Sequence, residues 1–192
     1  MFRAIIRSLQ AGVRTLVVLS LLTGLFYPMV VRALAILCFP NEAGGRLIRQ
    51  GYTIVGSELV GQEFSSEAYF HPRPSASHYS ALPAMASNLG PTSVQLKSEV
   101  TKRQAALGQD APADLLAASA SGLDPDISPE AALFQISRIA QARSLNQNEV
   151  DSLRKLVVES VRPPFLGFIG KKQVNVLSLN QKLDASFGKP KK

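Results

Sequence analysis

Residues 119–128 read SASGLDPDIS, and with His71 and His78 they supply the side-chain types of a Ser-His-Asp hydrolase. In such a site a serine oxygen attacks, a histidine takes its proton and a carboxylate orients the histidine. Ser119, Ser121 and Asp124 qualify by type, but no G-x-S-x-G elbow presents a nucleophile. Loops rich in Ser and Asp more often turn a chain and cap a helix. A second candidate is the run Gly167 to Gln173, GFIGKKQ, which approaches a phosphate-binding loop. That loop needs G-x-x-x-x-G-K-[ST], whose amides cradle phosphates. Here Phe165 stands where the first glycine belongs, and Lys172 replaces the Ser/Thr. The DKTG phosphorylation motif of P-type pumps is also missing from the sequence. A zinc site needs three or four convergent ligands. Two histidines without a neighbouring cysteine predict no metal site. The single cysteine, Cys38, rules out an internal disulfide, and Leu37 before it is too large for a lipobox.

Stepping outward from these side chains, the most informative element is apolar. Thr15 to Val31 carries no charge, and Arg14 and Arg32 bracket it. Eighteen positions at ~1.5 Å rise place the two arginines about 27 Å apart, close to the hydrocarbon thickness of a bilayer. At those edges each can snorkel into the headgroups. The spacing predicts one transmembrane helix over 15–37, preceded by a basic tail, 1–14. A cleaved signal peptide is the competing reading, with Ala33-Leu34-Ala35 as its cleavage site. The apolar stretch is longer than the usual ~7–15-residue signal core, which favours a retained anchor. Pro28 is expected to kink the helix or mark its exit. Arg3, Arg7 and Arg14 precede the span, whereas Arg32, Arg46 and Arg49 follow it at growing distance. The positive-inside rule then puts the N-terminus in the cytoplasm and the main domain in the periplasm.

The net charge is +7, and four of the 21 basic residues flank the span. No concentrated basic stripe with stacking aromatics is left for nucleic acid. The KPKK ending, residues 189–192, reads as a solvated basic tail. Residues 38–51 read as a turn-rich connection, and 52–188 as one compact extramembrane domain. An extended run is expected near Tyr52–Val55, and the two prolines of YFHPRPSASHY (69–79) exclude a helix there. Three helices are expected. The first has Pro91 in its opening turn, runs to Leu107, and turns Val94 and Val100 inward. The second has Ser128 as N-cap, Pro129 at N1, Glu130 in its first turn and an apolar face of Leu133, Ile136, Ile139 and Ala140. The third opens with an Asn146–Glu149 capping box and carries Val150, Leu153, Leu156 and Val157. VNVLSL (174–179) is a strand candidate by its β-branched content. The fold class expected is α/β or α+β, behind one N-terminal transmembrane helix.

SASGLDPDIS followed by PEAALFQISRIAQAR resembles the signature of KdpC, the small subunit of the bacterial potassium-transporting Kdp P-type ATPase. GSELVGQEF (56–64), YFHPRPSA (69–76), SNLGPTS (87–93) and VNVLSLNQKL (174–183) match in the family's order, so the resemblance covers nearly the whole chain. Ala120, Asp126 and Gly170-Lys171-Lys172-Gln173 depart from the family pattern. The resemblance implies an accessory role in ATP-driven potassium uptake. A channel-like subunit and an ATP-hydrolysing pump subunit would be the partners. It further implies assembly or stabilisation of that complex, and a catalytic-chaperone role that raises the pump's ATP affinity. ATP would then be shared with the pump subunit, with Gln135 as the nucleotide-contact candidate. Ser119, Ser121, Gly122 and Asp124 in the loop, with Asn88 and Gly90, are candidates for partner contact. The alternative is a membrane-anchored periplasmic hydrolase or binding protein working alone.

Overall fold

The computed structural model describes residues 1–83 and 85–190. The chain divides into two compact units, Met1–Leu47 and the remainder from Ile48. The first unit is dominated by one long helix. α1 (Phe2–Leu21) passes through a π-helical turn (Leu22–Phe26) into α2 (Tyr27–Cys38). These 37 residues are long and apolar enough to cross a membrane, and none of the span is buried within the chain. Helix therefore begins well before the uncharged stretch, carrying Arg3, Arg7 and Arg14 as extra turns. At ~1.5 Å per residue its length is about 55 Å, more than the ~30 Å a bilayer core requires.

Pro28 does not end this helix, which continues to Cys38. A proline lacks the N–H that would reach the carbonyl four residues earlier, and its ring crowds that carbonyl. The wider π turn immediately before it absorbs the mismatch, the kind of adjustment π-bulges make. Thr23 Oγ1 also donates to the Leu19 carbonyl at 2.7 Å. A short helix α3 (Pro40–Ala43) follows.

β1 (Leu47–Gln50), which begins at the last residue of the first unit, and β2 (Thr53–Ser57) form a two-stranded sheet. α4 (Val94–Leu107) and the short α5 (Ala113–Leu116) come next. β3 (Asp126–Ile127) pairs antiparallel with β4 (Val174–Asn175), Asp126 opposite Asn175 and Ile127 opposite Val174. α6 (Pro129–Phe134), α7 (Ile136–Arg143), α8 (Gln147–Glu159) and α9 (Val176–Phe187) build the core. Ile139, Leu153, Val157, Val174, Leu179 and Leu183 are fully buried there, around Phe70 from the proline-rich segment. The mixed class expected from the sequence is the one observed, helices with two small sheets behind a long apolar helix.

Several element boundaries differ from expectation for identifiable reasons. α4 starts at Val94, not near Pro91, because Ser93 accepts the Leu96 N–H and caps it. Val94 is 84% exposed and so does not face inward. Leu133 is likewise exposed, and the buried positions of its helix are Ala131 and Ala132. VNVLSL is a strand only at Val174–Asn175. Asn175 Oδ1 accepts the Ser178 N–H at 3.0 Å and starts α9. Val176, Leu179, Asn180 and Leu183 then recur at helical spacing and are buried. Ser128 caps α6, and Asn146 with Glu149 forms the reciprocal capping box of α8. Of the basic tail, Lys189 is exposed, whereas Lys191 and Lys192 lie outside the described residues.

The proline-rich segment is a buried irregular chain, so its backbone needs partners that no sheet supplies. Side chains supply them. Asn180 Oδ1 accepts the Phe70 N–H at 2.9 Å, and its Nδ2 donates to the Phe70 carbonyl at 3.0 Å. Replacing Asn180 by Leu leaves both groups unpaired in the core. At ~1–3 kcal/mol per orphaned group, the expected loss is about 2–5 kcal/mol. Denaturant unfolding of the detergent-solubilised chain measures it, with Gln181→Ala expected within about 0.5 kcal/mol of the parent.

Candidate functional site

The loop 119–128 folds as a knot that ties three other blocks of the sequence together. Ser119 and Gly122 are buried, Asp124 is half-buried, and Ser121 is exposed. The Ser119 N–H donates to the Pro74 carbonyl at 3.1 Å, joining the loop to YFHPRPSA. The Gly61 N–H donates to the Leu123 carbonyl at 2.7 Å, joining it to GSELVGQEF. Arg73 Nη1 reaches Asp124 Oδ2 at 3.1 Å, while the other Asp124 oxygen accepts the Asp126 N–H. The Val176 N–H donates to the Pro125 carbonyl, and Asn175 Nδ2 to Asp126 Oδ1, at 3.0 and 2.9 Å. Burial pushes the Asp126 carboxyl above its usual range, against the opposing effect of that Asn175 bond.

Two glycines make this knot possible. Gly122 has φ +70°, and a Cβ there would stand 2.8 Å from the Met85 carbonyl oxygen. Gly61 is approached by the Asp124 carbonyl, 2.7 Å from where its Cβ would be. Asn88 and Gly90 lie elsewhere, exposed in the turn ahead of α4, where the Gly90 carbonyl accepts the Ser93 N–H.

The catalytic candidates do not assemble into a relay. His71 Nε2 lies 3.1 Å from the Ser66 carbonyl oxygen, and His78 is exposed. Ser121 Oγ accepts the Leu123 N–H as an ordinary turn contact. Burial, then the nearby Arg138 charge, lowers the His71 pKa, which favours the neutral ring. Among the described residues no three His, Cys, Asp or Glu side chains gather as a metal site would require.

Gln135 sits at the break between α6 and α7 and is almost fully buried. Its own N–H bonds to the Ala132 carbonyl in a tighter turn, and its Nε2 donates to the Ala131 carbonyl instead. The same Nε2 donates to the His71 carbonyl at 3.1 Å, while Oε1 accepts the His71 N–H at 2.7 Å. Arg138 Nη2 donates to Oε1 at 2.8 Å. Both donors and both lone pairs of the amide are thereby occupied. The helix break and this role carry no signal in the 3.6-residue periodicity, which runs through the position.

Beside Gln135 opens a cleft of about 740 Å³, walled by Phe64, Pro72, Tyr79, Leu107, Leu115 and Phe134. Arg103 and Arg138 lie at its wall with their guanidinium groups engaged. Arg103 donates to the Leu116 carbonyl and Glu99, and Arg138 to the carbonyls of Glu67 and Tyr69. The Tyr79 hydroxyl donates to the Arg73 carbonyl at 2.8 Å. Burial, then the Glu63 charge, pushes its pKa up to about 12.

Comparison with known proteins agrees with the motif order. The family model described as KdpC, K+-transporting ATPase, c chain, matches residues 9–185. A potassium-transporting ATPase KdpC subunit of Cereibacter sphaeroides is 47% identical over 182 residues, covering 93% of this chain and 97% of that protein. A protein of the same name from Leptospira interrogans is 45% identical, covering 94% and 95%. One from Rhodopseudomonas palustris is 42% identical, covering 94% and 98%.

Gly122→Ala must adopt a left-handed backbone and displace the Met85 carbonyl, so it should destabilise the domain by about 1–3 kcal/mol. Ser121→Ala should stay within about 0.5 kcal/mol of the parent; thermal unfolding compares the two. Tyr79 titrates higher in the folded state than in the unfolded chain. Its contribution is thus complete below about pH 10 and is lost as the pH rises towards about 12. The melting temperature of Tyr79→Phe should fall less steeply than the parent's across that window.

Proposed function

Because the chain belongs to the KdpC family, the c chain of potassium-transporting ATPases, we propose that it works as a membrane-anchored assembly subunit. In this reading it holds a channel-like subunit and an ATP-hydrolysing pump subunit in one potassium-uptake complex. The observation that carries the reading is a contrast in how the chain uses its groups. Its polar site candidates serve the fold: Gln135 clamps a peptide, and Asp124 and Ser121 stabilise turns. Its long N-terminal helix, in contrast, leaves an apolar surface wholly uncovered. A single helix offers no ring of carbonyls or charges to select an ion. Other subunits therefore supply the potassium path, and this chain supplies contact.

The charge bias around the helix supports a cytoplasmic N-terminus, with the folded domain on the periplasmic side of the inner membrane. From that side any effect on ATP affinity acts through the pump subunit's conformation. Such a chaperone effect needs no nucleotide contact by Gln135, whose amide is already saturated. Purification in mild detergent tests the proposal: the tagged chain should bring both large subunits with it, and Gly122→Ala should reduce their recovery. Recovery of the chain alone at native expression would refute it. Labelling a cysteine at Lys155→Cys in a Cys38→Ala background, from each side of the membrane, tests the orientation.

A further inference from the structure

One apolar feature outside the long helix has no role in the core. Between α8 and β4 the chain makes a narrow ribbon, in which the Arg162 and Gln173 backbones exchange two hydrogen bonds at 2.7 and 3.2 Å. At its tip Phe165 and Ile169 exchange two more, both 2.9 Å. The intervening Leu166 and Gly167 have φ of +52° and +83°. A branched apolar residue in that region is strained, and such strain persists where the surroundings or a function demand it. The turn holds Phe165 70%, Leu166 69%, Phe168 76% and Ile169 50% exposed. Four large apolar side chains on one tight turn form a patch, unlike the scattered exposed residues of an ordinary surface. Lys171 and Lys172 follow directly, both exposed and, among the described residues, without an ion-pair partner. The stem is anchored: Arg162 Nη2 pairs with Glu58 Oε2 at 3.1 Å, and Val174 is buried.

We propose that the Phe165–Ile169 tip seats in the headgroup–acyl boundary of an anionic phospholipid surface, as a second membrane contact of this chain. Phe and Leu favour that boundary, and adjacent lysines add attraction to anionic headgroups. The lysines follow the apolar turn on its stem side, where they line a small cleft with Asp114, Asp124 and Asp126. The spanning helix proposed above tethers this domain to a bilayer through continuous chain. Tethering converts a weak contact into an intramolecular one, so a few apolar side chains suffice. The inference rests on the membrane-anchored reading above.

The protein contains no tryptophan, so a single introduced one reports its own depth. Full-length Phe168→Trp, Phe26→Trp and Lys155→Trp are reconstituted separately in phosphatidylcholine–phosphatidylglycerol vesicles. Lipids brominated near the headgroup or deep in the acyl chain serve as quenchers. Phe168→Trp should be quenched at least about twofold more than Lys155→Trp, and best by shallow bromines. Phe165→Trp should repeat the result. Lys171→Glu with Lys172→Glu should reduce the quenching in anionic vesicles. If Phe26→Trp is quenched while both tip tryptophans match Lys155→Trp, the tip proposal is overturned and the anchor stands. If Phe26→Trp also escapes quenching, the anchor reading fails and the tip proposal falls with it. Tip shielding that grows with protein-to-lipid ratio, or that needs the other subunits present, would replace the lipid by a protein surface and also overturn the proposal.

Discussion

The compact unit that begins at Ile48 depends on satisfying one stretch of irregular backbone inside its core. Phe70 is completely buried, and the chain carrying it cannot form a helix ahead of Pro72 and Pro74. Each carbonyl from Ser66 to His71 is nevertheless met by a side chain. His71 takes Ser66, Arg138 takes Glu67 and Tyr69, and Arg143 takes Ala68. Asn180 takes Phe70, and Gln135 takes His71. The two amides act as peptide surrogates, each giving one donor and one acceptor to a single residue. Their helices, α9 and the α6–α7 pair, are thus fixed to either side of a segment that would otherwise be a strand without a sheet. Arg143 shows the same economy, with its side chain only 3% exposed. It pairs with Asp184 at 2.8 Å, bonds the carbonyls of Ala68 and Gly188, and lies over the Tyr69 ring at 5.0 Å. A buried charge needs that many partners to be tolerated.

This arrangement gives three of the blocks seen in the sequence a common point of contact. GSELVGQEF contributes Gly61, YFHPRPSA contributes Arg73 and Pro74, and VNVLSL contributes Asn175 and Val176. All of them bond to the loop 119–128. The loop that first suggested a hydrolase is the place where separate segments close on each other. Its serines and aspartates cap, turn and pair, as those residue types do most often. The side chains that suggest chemistry and those that specify the fold are here the same ones.

Local signals were legible wherever the physics is local. The Ser128 cap with Pro129, the Asn146–Glu149 box and the bracketed apolar helix each need only neighbouring residues, and each is present. Non-local satisfaction was not legible. Gln135 reads as a helical surface position because its partner, His71, lies 64 residues away in sequence. Val94 reads as a core residue because periodicity cannot tell which face of α4 finds a neighbour. VNVLSL reads as a strand because β-branching is counted before the Asn175 cap is recognised. The α9 period becomes visible only when Asn180 is counted as a buried position, which hydrophobicity alone does not suggest.

The long helix accommodates a proline by a different device. A proline removes one helical N–H donor and crowds the preceding turn. The Tyr27 N–H reaches back to the Leu22 carbonyl, a five-residue step, just ahead of Pro28. Widening by one residue moves the ring away from the carbonyl it would strike, while the helix continues to Cys38. Among the described residues none of the span is buried, and Ser20 and Gly24 present small residues one turn apart. Such a pair lets another backbone come close. A π turn also rotates the faces of the two halves relative to each other, so α1 and α2 present different sides to their surroundings. One helix can then meet two neighbours, or one neighbour and lipid, along its length, as the assembly role proposed above would require.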